Sequence, residues 1–232
     1  MSSAALPPAL AGLDPSWSRL VPTADADGST RTWHVLDSHS DAPAADVEGT
    51  LLCVHGNPTW SYLWRHLVAA PPPGWRVLAV DQLGMGFSDR VDGVRRLAAR
   101  IDDLGRLTDA LGVIGPVVTV AHDWGGPISL GWARDHRARV VGIVLTNTAV
   151  HQPAGSPAPA LIRLAGTAGV RQLLCQVTPA FLTTALWLSH PPLAREVRAG
   201  FHAPYRGQDR RRAIADFVAD ICLLYTSPSP RD

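Results

Sequence analysis

The stretch Val117-Val118-Thr119-Val120-Ala121-His122-Asp123-Trp124-Gly125-Gly126 decides how the rest of the chain reads. A short β-branched run ends in a small-x-Asp-x-small turn, and Gly125-Gly126-Pro127 opens a helix-compatible segment over 128–135. A strand that rises to a tight turn and falls into a helix is the layout of a nucleophile elbow. Small neighbours there let the backbone carry one side chain at a strained apex. The usual apex residue is serine, which needs a base beside it, whereas an aspartate is already ionised at neutral pH. Asp123 at the apex therefore predicts direct attack on an electrophilic carbon and an ester between protein and substrate.

Working outward, residues 50–54 (TLLCV), 76–80 and 140–146 (VVGIVLT) are short continuous apolar runs, as strands buried on both faces should be. Helices are expected over 61–70, stopped by Pro71-Pro72-Pro73-Gly74, and over 95–111. In the latter, Leu97, Ile101, Leu104, Leu107 and Leu111 recur at three- and four-residue spacing. Alternating buried strands and helices predict an α/β fold, a mostly parallel sheet with helices on both faces. Right-handed crossovers would gather the loops after Val54, Val80, Val120 and Thr146 at one edge, where such sheets bind ligands.

Residues 30–36 alternate and read as an early edge strand, preceded by an extended approach segment over 1–29. The core is thus expected over 30–150. From 151 the character changes: 151–159 is rich in Pro, Gly, Ser and Ala. Residues 160–218 are helical material broken by Pro179, Pro191-Pro192 and Pro204, with no further buried strand. An inserted helical cap over 151–221 is expected, its apolar lining drawn from Leu161, Leu164, Leu173, Leu174, Phe181, Leu186 and Trp187. The last eleven residues, CLLYTSPSPRD (222–232), continue neither helix nor strand. They read as a translated sequencing adaptor and are set apart from the fold.

Composition narrows the function. At 232 residues, with 46% apolar content and a net charge of +1, the chain suits one globular domain and no nucleic-acid partner. All 21 basic residues are Arg, without a basic block. Cys53, Cys175 and Cys222 show neither disulfide density nor metal-ligand spacing, so buried thiols are expected, and no cofactor or metal. The N-terminus lacks the features of a signal peptide, and no run reaches the ~18 apolar residues of a membrane span. A cytoplasmic protein without membrane association is expected. Oligomeric state and any fused or pathway partner are not legible.

HGNPTW (55–60), DQLGMGFSD (81–89) and AHDWGGP (121–127) together resemble the haloalkane dehalogenases of the α/β-hydrolase superfamily, in order and spacing, over about residues 30–150. The resemblance makes Asp123 the nucleophile. It gives the backbone amides of Asn57 and Trp124 the role of an oxyanion hole, and their side chains the role of holding the leaving halide. An amide N–H and an indole N–H are neutral donors, able to stabilise an emerging anion without neutralising Asp123. Taken alone, Asn57 is a turn residue before Pro58 and Trp124 a packing residue. His55 and His122 are expected to shape loops, and Asp81 to organise its own turn.

One dehalogenase subgroup carries a catalytic acid where this chain has Thr146-Asn147-Thr148. The pattern here is closer to the third subgroup, which includes the β-lactone decarboxylases of olefin biosynthesis and has motifs similar to DQLGMGFSD and LTNTAVHQP. The family's acid and base follow two later strands that these 232 residues are expected to lack, and neither His190 nor His202 takes their place. Three readings therefore stand: a dehalogenase-like hydrolase or a β-lactone decarboxylase acting on a small apolar substrate; less readily an epoxide hydrolase, for which the cap offers only Tyr205; and, as a different class, a non-catalytic small-ligand binder.

Overall fold

The computed structural model describes residues 3–39, 47–149, 164, 167 and 169–226, the last six as backbone only. Six strands form one sheet: β1 (Ser18–Ala24), β2 (Thr30–Asp37), β3 (Gly49–Val54), β4 (Trp75–Val80), β5 (Val117–His122) and β6 (Val140–Thr146). Their order across the sheet is β1-β2-β4-β3-β5-β6. The β4-β3-β5-β6 part is parallel, as the buried runs predict, while β1 and β2 pair antiparallel at the left edge. Two expectations change here. Residues 30–36 do not form the edge strand, because Ser18–Ala24 pairs outside them. The approach segment thus contributes a strand of its own.

Three helices complete the core: α1 (Arg65–Ala69), α2 (Leu97–Ala110) and α3 (Gly125–Asp135). The β3-α1-β4 crossover runs one way along the sheet, and β4-α2-β5 and β5-α3-β6 run the other. Right-handed crossovers then place α1 on one face and α2 with α3 on the opposite one. The helix expected over 61–70 begins as a 3-10 turn, Ser61–Trp64, before α1. Its first residues are drawn inward by Trp60 and Tyr62, both fully buried and stacked at 5.2 Å.

The described segment over 169–226 holds α4 (Ala180–Trp187), α5 (Arg195–His202) and α6 (Arg212–Thr226), with a π-helical turn at Gln172–Val177. It is tied to the loops beneath it. Trp60 Nε1 donates to the Gly200 carbonyl at 3.2 Å, Tyr205 Oη donates to the Thr59 carbonyl at 2.9 Å, and Arg90 donates to the carbonyls of Gly86 and Pro204. Phe181 and Leu186 are buried as expected, but Leu164, Leu173 and Trp187 are exposed; Leu161 and the stretch 151–159 lie outside the described residues. The α6 backbone stays helical to Thr226, so the segment from 222 does continue a helix for five residues. Leucine at 223 and 224 has the intrinsic helix preference that permits it.

At the right edge, β6 exposes Val141, Ile143, Val144 and Leu145 on both of its faces. No helix among the described residues is long and apolar enough to cross a membrane.

Candidate active site

The site stands where the parallel strands end. β5 delivers Asp123 to the elbow with φ of +52°, a left-handed conformation rare for a residue with a side chain. Bonds on both sides hold it. The Asp123 carbonyl accepts from Gly126 N at 2.9 Å and from Thr148 Oγ1 at 2.7 Å, while its amide donates to the Thr146 carbonyl at 3.3 Å. Thr148 lies in the stretch that lacks the first subgroup's acid. Its role as the brace of the elbow is visible only in three dimensions.

Two glycines make the turn sterically possible. A Cβ on Gly125 would overlap the Val54 carbonyl oxygen, so α3 could not start this close to β3. A Cβ on Gly56 would overlap the Asp123 carboxylate and come within 2.7 Å of the His122 carbonyl. The loop after β3 is thereby allowed to pass directly beneath the apex.

That passage brings Asn57 to Asp123. The Asn57 amide donates to Asp123 Oδ1 at 2.7 Å. The Trp124 amide, at the start of α3, also hydrogen-bonds the carboxylate and places it at the positive end of the helix. Burial dominates the electrostatics and lifts the Asp123 carboxyl above the ordinary aspartate range; the Trp124 and Asn57 amides and the neighbouring His122 oppose it. The result is a desolvated carboxylate whose Oδ1 is held by the Asn57 amide.

The side chains of the two expected anion donors flank the same place. Trp124 is buried, and its ring lies 5.4 Å from that of Phe217 on α6. Asn57 Nδ2 donates one hydrogen to the Ile214 carbonyl at 3.2 Å, leaving its second N–H uncommitted to that bond, while its Oδ1 is buried without a partner among the described residues. Neither Ile214 nor Phe217 carried a signal in the sequence, since both reach the site from a helix about 90 residues downstream.

The remaining polar residues sort themselves by their bonds. Asp81 is fully buried and accepts from Ser61 N (2.7 Å), Phe87 N (2.7 Å) and His34 Nδ1 (2.8 Å), so it organises its turn as expected. His55 shapes its loop: Nδ1 lies 2.8 Å from the Gly56 carbonyl and Nε2 accepts from Gln82 N at 3.1 Å. His122 Nδ1 is buried without a partner among the described residues. The cap hydroxyl of Tyr205 is committed to the Thr59 carbonyl and to Gly86 N, 2 % exposed and far from free to protonate a substrate. Cys53 and Cys175 are buried thiols, both pushed up by desolvation, Cys175 to about 11. A groove of about 870 Å³ bordered by Arg90, Asp92, Arg171, Arg212 and Asp216 does not touch Asp123, Asn57 or Trp124.

Comparison with known proteins agrees with the fold. Residues 49–181 match the family model for the alpha/beta hydrolase fold. The cis-3-alkyl-4-alkyloxetan-2-one decarboxylase of Xanthomonas campestris pv. campestris is 36% identical over 80% of this chain and 65% of its own length. A haloalkane dehalogenase of Sphingobium indicum is 46% identical over 41% of this chain and 35% of its own length. Among solved structures, the haloalkane dehalogenase DbeA from Bradyrhizobium elkani superimposes with a TM-score of 0.74. It is 26% identical, covering 92% of this chain and 72% of that one. The chain belongs to the α/β-hydrolase fold family. It spans less than two thirds of the length of the curated relatives it matches.

Proposed function

We propose that this chain carries the nucleophile half of an enzyme that attacks an sp3 carbon of a small apolar substrate, in the manner of a haloalkane dehalogenase. In that step one Asp123 oxygen forms a bond to the carbon. The carbon–halogen bond breaks, and its electron pair leaves with the halide, which accepts the Trp124 indole N–H and the second Asn57 amide N–H. The other oxygen, held by the Asn57 amide, becomes the carbonyl of the alkyl ester and stays in place for later attack by water. The observation that carries the reading is the buried Asp123 carboxyl, raised by desolvation and held at Oδ1 by the Asn57 amide. A non-catalytic binder would bury that charge for no return. The bonded Tyr205 hydroxyl argues against an epoxide hydrolase.

Ester hydrolysis needs a base to activate water. No acid–base pair stands beside Asp123 among the described residues, so the proposal covers formation of the ester.

One observation favours a second reading, β-lactone decarboxylation: the match to the oxetanone decarboxylase runs over 80% of the chain. Attack at the ring sp3 carbon would open the lactone and release a carboxylate that stays tethered to the same alkyl group. Loss of carbon dioxide would then supply the electron pair for a carbon–carbon double bond and expel the Asp123 carboxylate, without water or a base. The two readings separate in one experiment. 1-Bromobutane and a cis-3,4-dialkyl-oxetan-2-one are incubated side by side with the chain, following bromide, carbon dioxide and protein mass. Stoichiometric bromide with a stable alkyl adduct, and no reaction with the lactone, supports the first. Catalytic carbon dioxide release supports the second, and inertness to both substrates leaves the binder.

A further inference from the structure

The helix α6 touches both residues to which the site assigns the departing anion. Ile214 and Phe217 are three residues apart on one helix face. The Ile214 carbonyl accepts from Asn57 Nδ2, and the Phe217 ring lies against the Trp124 indole at 5.4 Å and 53°. Two contacts pin α6 to α2 in turn. The Arg100 guanidinium lies over the Phe217 ring, 3.7 Å from its centroid. Asp220 accepts from Arg96 Nη1 at 2.8 Å and from Leu97 N at 3.2 Å, capping the start of α2.

We propose that Arg100 is a positioning residue for leaving-group binding: it fixes the plane of Phe217, which fixes the Trp124 indole, and the same helix holds the Asn57 amide. The inference rests on the reading of Asn57 and Trp124 as anion donors. Arg100 is 4 % exposed, and among the described residues it forms no ion pair. Its Nε donates to the Arg95 carbonyl at 3.0 Å and its Nη1 to the Leu83 carbonyl at 3.3 Å. The Asp103, Asp216 and Asp220 carboxylates offset part of its desolvation, but burying the guanidinium remains a costlier way to pack α2 on α6 than leucine or methionine would be. What the charge adds is direction. A cation is attracted to the face of an aromatic ring and not to its edge, so Arg100 selects one orientation of Phe217. With Phe217 fixed and 1 % exposed, the indole packed against it at 5.4 Å is held in one orientation as well.

Such a role has a signature that general destabilisation lacks. Chloride needs more help to depart than iodide, so a misaimed indole should slow alkylation by 1-chlorobutane more than by 1-iodobutane. In Arg100→Met, the rate of Asp123 ester formation by intact mass should fall about tenfold further for the chloride than for the iodide. Arg100→Lys, which keeps a cation over the ring, should restore most of the ratio. An equal fall for both halides overturns the inference.

A readout independent of activity comes from 19F spectra of protein labelled with 5-fluorotryptophan. The Trp124 resonance, identified by its loss in Trp124→Phe, should shift or broaden in Arg100→Met and stay unchanged in a control at exposed Arg134. An unmoved Trp124 resonance in Arg100→Met also overturns the inference. A wild type that neither haloalkane alkylates sinks the proposed function instead, while the 19F comparison still reads the positioning. Where Arg100→Met fails to fold by far-UV circular dichroism, Phe217→Leu must give the same chloride-selective loss.

Discussion

Asn57 and Asp123 stand 66 residues apart in the chain and 2.7 Å apart in the fold, amide nitrogen to carboxylate oxygen. The bond joins the loop after β3 to the elbow after β5. It holds Oδ1 of a carboxyl whose burial raises its pKa.

That raised pKa predicts how stability depends on pH. In the unfolded chain Asp123 ionises near the ordinary aspartate value of about 3.9. In the fold, burial lifts the value. Between the two, the folded protein holds a proton that the unfolded chain has lost, so stability falls as pH rises through that window. Asp123→Asn keeps the shape and removes the charge. It should stabilise the protein at pH 7 by about 1 kcal/mol, with the advantage vanishing below about pH 3.9. Thermal melts of both proteins across pH measure it; a less stable variant at pH 7 would count against a desolvated nucleophile. Alkylation by 1-bromobutane should fall as pH drops through the raised value, earlier than for an exposed aspartate.

The absence of a side chain at Gly56 makes room for the carboxylate, and Gly56→Ala tests it. The added Cβ meets Asp123 Oδ1 and the His122 carbonyl, one of them backbone, so the strand ends must separate. The rate of Asp123 alkylation should drop by about 100-fold or more, as misplaced reactants do. Stability should fall by about 1–3 kcal/mol through overpacking. Intact-mass kinetics and a denaturant melt read the two effects; unchanged alkylation would show that the loop is free to move.

The open edge of the sheet gives a prediction about solution behaviour. Among the described residues, β6 is the last strand of the sheet, and its Val141, Ile143, Val144 and Leu145 are exposed apolar residues beside backbone groups with no strand partner, a template for strand pairing between copies. This 232-residue chain should self-associate, and Val141→Lys should lower the light scattering at equal concentration. Identical scattering from both would place the sticky surface elsewhere.

Legibility in the sequence followed the range of the interactions. The parallel strands and the elbow were readable because each depends on a local pattern, a β-branched run or Gly beside Asp. Asp81 was readable for the same reason: two of its three donors, Ser61 and Phe87, lie within 20 residues of it. β1 was not, since Ser18–Ala24 carries Pro22 and a burial pattern too weak to announce a strand; its pairing with β2 supplies the order. Thr148, Ile214 and Phe217 were silent because their roles arise only when separate loops and a cap helix converge.

Everything turns on Asp123 supplying the oxygen that bonds to carbon, and intact mass after incubation with 1-bromobutane tests that most directly. One butyl group should replace one proton per chain, mapped to the Asp123 peptide and lost in Asp123→Asn, with bromide released in equal amount and no more. No adduct, an adduct that survives Asp123→Asn, or bromide in large excess over protein would contradict it.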